Sequence, residues 1–234
     1  MQLERVGGAA ALLFAQPWPN DPTHPAVRCL TVDGPTVVLG SSQPAISQPA
    51  GVAVVRRRSG GGAVWLDDDV VWFDVWVPTS DPCWSPDVGR ASWWIGDLAA
   101  NVLASLGLTG LVTHRGAMMR HSRSRDVCWL GLGAGEVHDG GGRKVVGIAQ
   151  RRMRAGALFQ VGVLIAPSQW RLGVVAAPPI DAAAIAAVEL DCGFDREALS
   201  TSLGEVLTAS FGLGRESARS VGAATTQLES SLFE

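Results

Sequence analysis

Apolar residues fall in short, dense blocks through the first third of the chain and then change to a helical spacing. Val27 to Val32, Thr36 to Leu39 and Val52 to Arg56 each fit a strand, and Asp33-Gly34-Pro35 supplies a turn between the first two. Residues 63 to 66 and 70 to 77 are rich in Val, Trp and Phe and read as central strands joined through the acidic turn Asp67-Asp68-Asp69. Upstream, residues 7 to 16 predict a short helix, ended by the proline-rich stretch from Pro17 to Pro25. The polar, proline-punctuated run from Gly40 to Pro49 predicts a surface loop.

Helical spacing begins near Arg90. Trp94, Leu98, Val102 and Leu106 form one stripe, widened by Ile95, Ala99 and Leu103, and Gly107 can stop the helix. The basic stretch from Arg115 to Arg125 predicts an exposed or active-site loop, and Cys128-Trp129-Leu130 a return to the interior. Lys144 to Ala149 and Leu158 to Ile165 read as strands. Ala182 to Leu190 and Arg196 to Leu207 read as helices, the second capped by Asp195, whose carboxylate can accept a first-turn amide. Past Gly212 the chain is polar, predicting a tail over 212 to 234 or a terminal helix from Thr225 to Phe233. No second fold-sized unit follows residue 180, so one domain over 1 to 234 is expected.

With 47% hydrophobic and 18% charged residues, a chain of 234 residues can bury a large core and is not expected to be disordered. A net charge of -3 gives no whole-molecule attraction to nucleic acid, and no recognised binding module is present. The four cysteines, Cys29, Cys83, Cys128 and Cys192, lie far apart without a CxxC pair, which suggests neither a zinc site nor a disulfide scaffold. No signal-peptide pattern and no apolar run approaching the roughly 20 residues of a membrane span appear, so a cytoplasmic protein is expected. Lys144 is the only lysine among 19 basic residues, which puts a mobile ammonium at one place only.

Two segments can carry chemistry. In Arg56-Arg57-Arg58-Ser59-Gly60-Gly61-Gly62-Ala63-Val64, three glycines let backbone amides approach an anion while guanidiniums bind it; the same residues also suit a flexible hairpin loop with a basic rim. In Gly142-Arg143-Lys144-Val145-Val146-Gly147-Ile148-Ala149-Gln150, regular alternation puts Lys144 with Val146 and Ile148, opposite Gly147. There Lys144 either stabilises charge growing on a phosphoryl or carboxyl oxygen, or is a strand-edge lysine with a snorkelled stem.

The strings RRRSGGGAV at 56 to 64, CWLGLGAGEV at 128 to 137 and GRKVVGIAQRR at 142 to 152 resemble the signature regions of the lipoate-protein ligase and octanoyltransferase family, in register from about residue 28 to 210. The resemblance implies an α/β (α+β) catalytic domain related to biotin ligases, a mixed, strongly bent sheet with packed helices. It implies that Arg57, Ser59, Gly60, Gly61, Gly62 and Ala63 border the substrate, with Gly147 giving clearance and Gln150 toward the rim. Arg56, Arg57, Gly61, Gly62 and Lys144 would serve the nucleotide, and Lys144 would contact the acyl carboxyl.

As a ligase, the chain would use ATP and magnesium to join lipoate or a related acid to a lipoyl-accepting carrier protein. As an octanoyltransferase, it would need no cofactor and would take octanoate from acyl carrier protein through Cys128. A weakened acyl-binding homologue is the third reading. The chain departs from the family pattern at Leu66 to Val70, where carboxylates replace His and Asn and could repel ATP, and at Gly135-Glu136-Val137, where Arg-Asn-Asp is usual. No room remains for the C-terminal accessory domain of some ligases, which leaves an accessory subunit or a standalone catalytic domain.

Overall fold

Strand β6 (Val70–Pro78) is buried at all nine positions, and the structure is built around it. Its β-branched and aromatic residues suit a strand covered on both sides: Val71, Phe73, Val75 and Val77 face one core, while Val70 and Trp72 face another. The structure, a computed structural model, describes residues 1–175 and 179–211. The expected terminal helix lies outside the described residues.

β2 (Ala26–Val32) and β12 (Gly156–Leu164) flank β6, both antiparallel to it, with Cys29 opposite Phe73 and Gly162 opposite Trp72. β1 (Glu4–Gly8) adds in parallel to β2 at one edge. At the other, β11 (Lys144–Met153), β10 (Val137–His138) and β7 (Val112–Thr113) complete a mixed sheet of order β1-β2-β6-β12-β11-β10-β7. A smaller sheet pairs β3 (Thr36–Leu39) with β4 (Ala53–Arg56) in parallel and with β5 (Val64–Leu66) antiparallel. β8 (Met119–Arg120) and β9 (Gly131–Leu132) form a two-stranded ribbon. Helices α2 (Trp93–Ser105) and α5 (Arg196–Ala209) cover one face of the main sheet, placing Trp94, Ile95, Leu98 and Leu203 against Phe73, Val75 and Val161. Against the other face lie the small sheet, α1 (Ala10–Ala15) and the short helices α3 (Arg171–Val175) and α4 (Ala182–Ala186). The mixed sheet with packed helices is the fold class expected from the sequence.

Several boundaries differ from the pattern. Residues 4 to 8 form an edge strand, so the expected helix begins only at Ala10; Gly8, at φ +147°, ends the strand. Helix α4 stops at Ala186 because the chain turns onto β11, where the Lys144 amide donates to Val188 O at 2.9 Å. β11 runs on to Met153 because β12 pairs with it residue by residue.

The largest correction concerns Lys144. Val137 pairs with Val146 but His138 with Lys144, so Val145 is an extra residue, a bulge that breaks the alternation. Lys144 thereby crosses to the side of Gly147, where its Cε lies 3.3 Å from the position a Cβ on Gly147 would take.

Candidate functional site

Each arginine of the 56 to 58 run is used to hold backbone. Arg56 Nη1 donates to Gly40 O and Gln43 O, both at 2.7 Å. Arg57, almost fully buried, donates through Nη2 to Gly60 O at 2.8 Å and Gly62 O at 3.0 Å, folding the glycine loop around its own guanidinium. Arg58 reaches Gln16 O at 3.2 Å. Ser59 Oγ donates to Gln160 Oε1 at 2.6 Å, and Gln160 Nε2 donates to Asp74 Oδ1 at 3.1 Å. Asp74 also accepts from Arg28 at 2.8 Å and from the Trp72 indole at 3.0 Å. The glycine loop is thus pinned to the centre of the main sheet by a buried polar chain, each member of which finds a partner.

The glycines have separate duties. Gly61 adopts φ +99°, the left-handed region that favours glycine. Gly62 lies so close to residues 124 to 128 that a Cβ there would fall 2.6 Å from Cys128 N and 2.8 Å from Ser124 O. That approach is sealed by Ala63 N donating to Asp126 O at 2.8 Å and Cys128 N donating to Ala63 O at 2.9 Å.

Lys144 is buried behind this junction. Its Nζ lies 2.8 Å from Glu136 Oε1, donates to Gly131 O at 3.1 Å and to Cys128 O at 3.4 Å, and sits 5.0 Å from the Trp129 ring centroid. Three acceptors match the three donors of an ammonium. Glu136 is fixed in turn by the amides of Gly133 at 2.6 Å and Ile148 at 3.0 Å. Trp129 donates its indole N–H to Lys144 O and lays its ring against Gly147, so Gly147 gives clearance to Trp129 and the lysine stem. Cys128 is half-buried, with Sγ 3.9 Å from Arg57 Nη2; the bond Lys144 makes to this residue goes to its carbonyl. Gln150 lies farther along β11, and with its oxygen turned to Arg152 it accepts from Nε at 2.6 Å.

A cavity of about 630 Å³ opens beside Gly61 and Ala63. Val37, Leu39, Ile46, Val127 and Leu172 give it apolar walls, and Arg120, Arg123 and Arg125 give it a basic edge. Met118, which also lines the cavity, packs 3.2 Å from a Cβ position on Gly131, the residue whose carbonyl accepts from Lys144. The acidic turn lies at the far end of β5 from the glycine loop, beside Asp33 to Pro35. Arg171 lies 3.2 Å from Asp67 and 3.1 Å from Asp69. Asp67 and Asp69 are therefore answered locally, and none of the three carboxylates lines the cavity.

The glycine loop, Cys128 and Lys144, more than eighty positions apart at their extremes, come together through the Arg57–Cys128 and Cys128–Lys144 contacts. Sequence reasoning missed Glu136, Gln43 and the Arg28–Asp74–Gln160 chain. Their only signals were a carboxylate eight positions before the sole lysine and polar residues inside apolar strands.

A family model described as the Lipoyl protein ligase A/B catalytic domain matches residues 14–200. Among solved structures, lipoate-protein ligase A bound with ATP aligns at TM-score 0.64 and 16% identity, over 89% of this chain and 85% of that one. A Thermoplasma acidophilum protein with bound lipoic acid aligns at TM-score 0.63, 16% identity and the same coverages. A bi-partite lipoate protein ligase of that organism, solved in work on its E2 lipoyl domain, gives TM-score 0.57 and 17% identity over 89% and 84%. At these identities the likeness is one of fold. No curated protein sequence matched the chain.

Proposed function

This chain belongs to the lipoyl protein ligase A/B catalytic domain family, and on that premise we propose that it attaches lipoate or a related short acyl acid to a carrier-protein lysine through an acyl-adenylate. The observation that carries the reading is the apolar cavity beside the glycine loop, whose Met118 packs on Gly131, the residue that accepts from Lys144. An acyl tail on Val37, Leu39, Ile46 and Leu172 gains about 0.8 kcal/mol for each methylene buried.

A carboxylate oxygen of the acid attacks the α-phosphorus of ATP and pyrophosphate leaves. The carrier lysine then attacks the acyl carbon, AMP departs and the amine loses a proton. Lys144 stabilises the oxygen on which charge grows by exchanging its longest bond, to Cys128 O, for that oxygen. Arg57 and Ser59 act on the loop, keeping its amides in place. Magnesium, which binds through phosphate oxygens with few protein ligands, would enter with ATP. The ATP, the lipoic acid and the lipoyl domain named for the neighbouring structures support these choices of ligand and partner.

A second reading rests on Cys128, half-buried beside Gly61 and Arg57. Its thiolate would attack an octanoyl thioester of acyl carrier protein, release the donor thiol, and pass the acyl group to the target amine. One experiment separates the two: incubation with lipoate plus Mg-ATP, and separately with octanoyl carrier protein, followed by intact-mass analysis and an adenylate assay. Adenylate lost in Lys144→Ala supports ligation, and an octanoyl increment absent in Cys128→Ser supports transfer. Neither product sinks both and leaves the weakened acyl-binding homologue.

A further inference from the structure

Lys144 and the three arginines of the glycine-loop motif all make contacts within the fold. Arg56, Arg57 and Arg58 hold carbonyls, and Lys144 has three acceptors. At the cavity edge the situation reverses. Arg120 and Arg125 line the cavity, are exposed, and their side chains make no hydrogen bond, ion pair or ring contact with a described residue. The intervening Arg123 is paired with Asp126 at 2.5 Å, which also answers the nearest carboxylate.

Both free guanidiniums stand on fixed backbone. Arg56 donates to Gln43 O, and Gln43 Nε2 donates to Arg125 O at 3.0 Å and Asp126 O at 3.1 Å. Asp126 O also accepts from Ala63 N. The first motif arginine therefore braces Arg125 through one intermediate residue. Arg120 is set by the β8–β9 ribbon, opposite Gly131, the residue whose carbonyl accepts from Lys144.

We propose that Arg120 and Arg125 form a phosphate-binding edge of the cavity, taking the phosphate ester of the molecule that delivers or activates the acyl group. The inference rests on reading the cavity as the acyl site. With the acyl tail in the cavity, two unpaired guanidiniums at the edge meet an anionic group of the same molecule. Planar donor forks suit a phosphate, whose several oxygens can accept from both. The phosphate belongs either to a nucleotide or to a phosphopantetheine arm, and the recognition chemistry is the same.

The test titrates the full chain calorimetrically with Mg-ATP against adenosine, and with S-octanoyl phosphopantetheine against S-octanoyl pantetheine. Octanoate is titrated in parallel. The wild type should prefer the phosphorylated member of one pair by about tenfold or more, more weakly at high salt. The preference should vanish in Arg120→Gln/Arg125→Gln and persist in Arg154→Gln, on the turn between β11 and β12. The pair showing it identifies the source. A preference surviving in the double variant, or absent from both pairs in the wild type, overturns the proposal. Octanoate binding that persists without phosphate preference overturns this proposal alone, whereas a phosphate preference without octanoate binding sinks the acyl reading and, with it, the assignment of that phosphate to an acyl donor.

Discussion

Glu136 Oε1 and Lys144 Nζ lie 2.8 Å apart, each side chain at most 4% exposed. Removing one charge strands the other in a medium where an unpaired ion is costly. Lys144→Met or Glu136→Leu alone should lower stability by about 3 to 5 kcal/mol in urea unfolding. The double variant should cost clearly less than the sum, and additive losses would show that the pair is not coupled.

Gly62 and Gly60 make a matched comparison inside one loop. A methyl on Gly62 meets the backbone of Val127 and Cys128 below 3 Å, whereas one on Gly60 meets nothing within 4 Å. Gly62→Ala should destabilise by about 1 to 3 kcal/mol and reduce acyl binding. Gly60→Ala should change stability by less than about 1 kcal/mol, and equal effects at the two sites would contradict the packing described.

Burial raises the Glu189 carboxyl from 4.5 to about 7, against the pull of the surrounding amides of residues 168 to 170. The folded state keeps a proton that the unfolded chain gives up near 4.5, so this contribution to stability is full below that pH and is lost as pH rises through about 7. The urea midpoint should fall over that window in the wild type. In Glu189→Gln this part of the slope should disappear.

Cysteine accessibility can be read by mass. Cys29 and Cys83 are buried, and burial together with Asp191 pushes the Cys192 thiol up to about 12. Iodoacetamide at pH 8 should label native protein first at Cys128, since alkylation needs an accessible thiolate. Earlier labelling of Cys192 would count against that environment.

Ser59 links the glycine loop to Gln160 within the buried chain ending at Arg28. Ser59→Ala leaves the Gln160 oxygen without that donor and should cost about 1 to 3 kcal/mol. If the link positions the loop, KM for the acyl substrate should rise more than kcat falls.

The sequence by itself located the buried elements, because the continuous apolar block at 70 to 77 and the helical stripe from Trp94 mark them, and its resemblance to a known family implied the fold class. It also marked the glycine loop and Lys144, since a glycine run and a sole lysine are chemically distinct wherever they lie, while the family resemblance set Cys128 apart from the other three cysteines. Only the tertiary structure decided what those groups touch. Lys144 changes face because one extra residue enters β11 against β10, a pairing invisible to local periodicity. The arginines of 56 to 58 are drawn onto backbone because segments more than ten residues away present carbonyls to Arg56 and Arg58, while the fold of the glycine loop presents its own to the buried Arg57. At the cavity the free cations are Arg120 and Arg125 instead. A side chain's donors are set by composition, but their partners depend on long-range pairing of backbone, and that is settled only when the sheets close around one another.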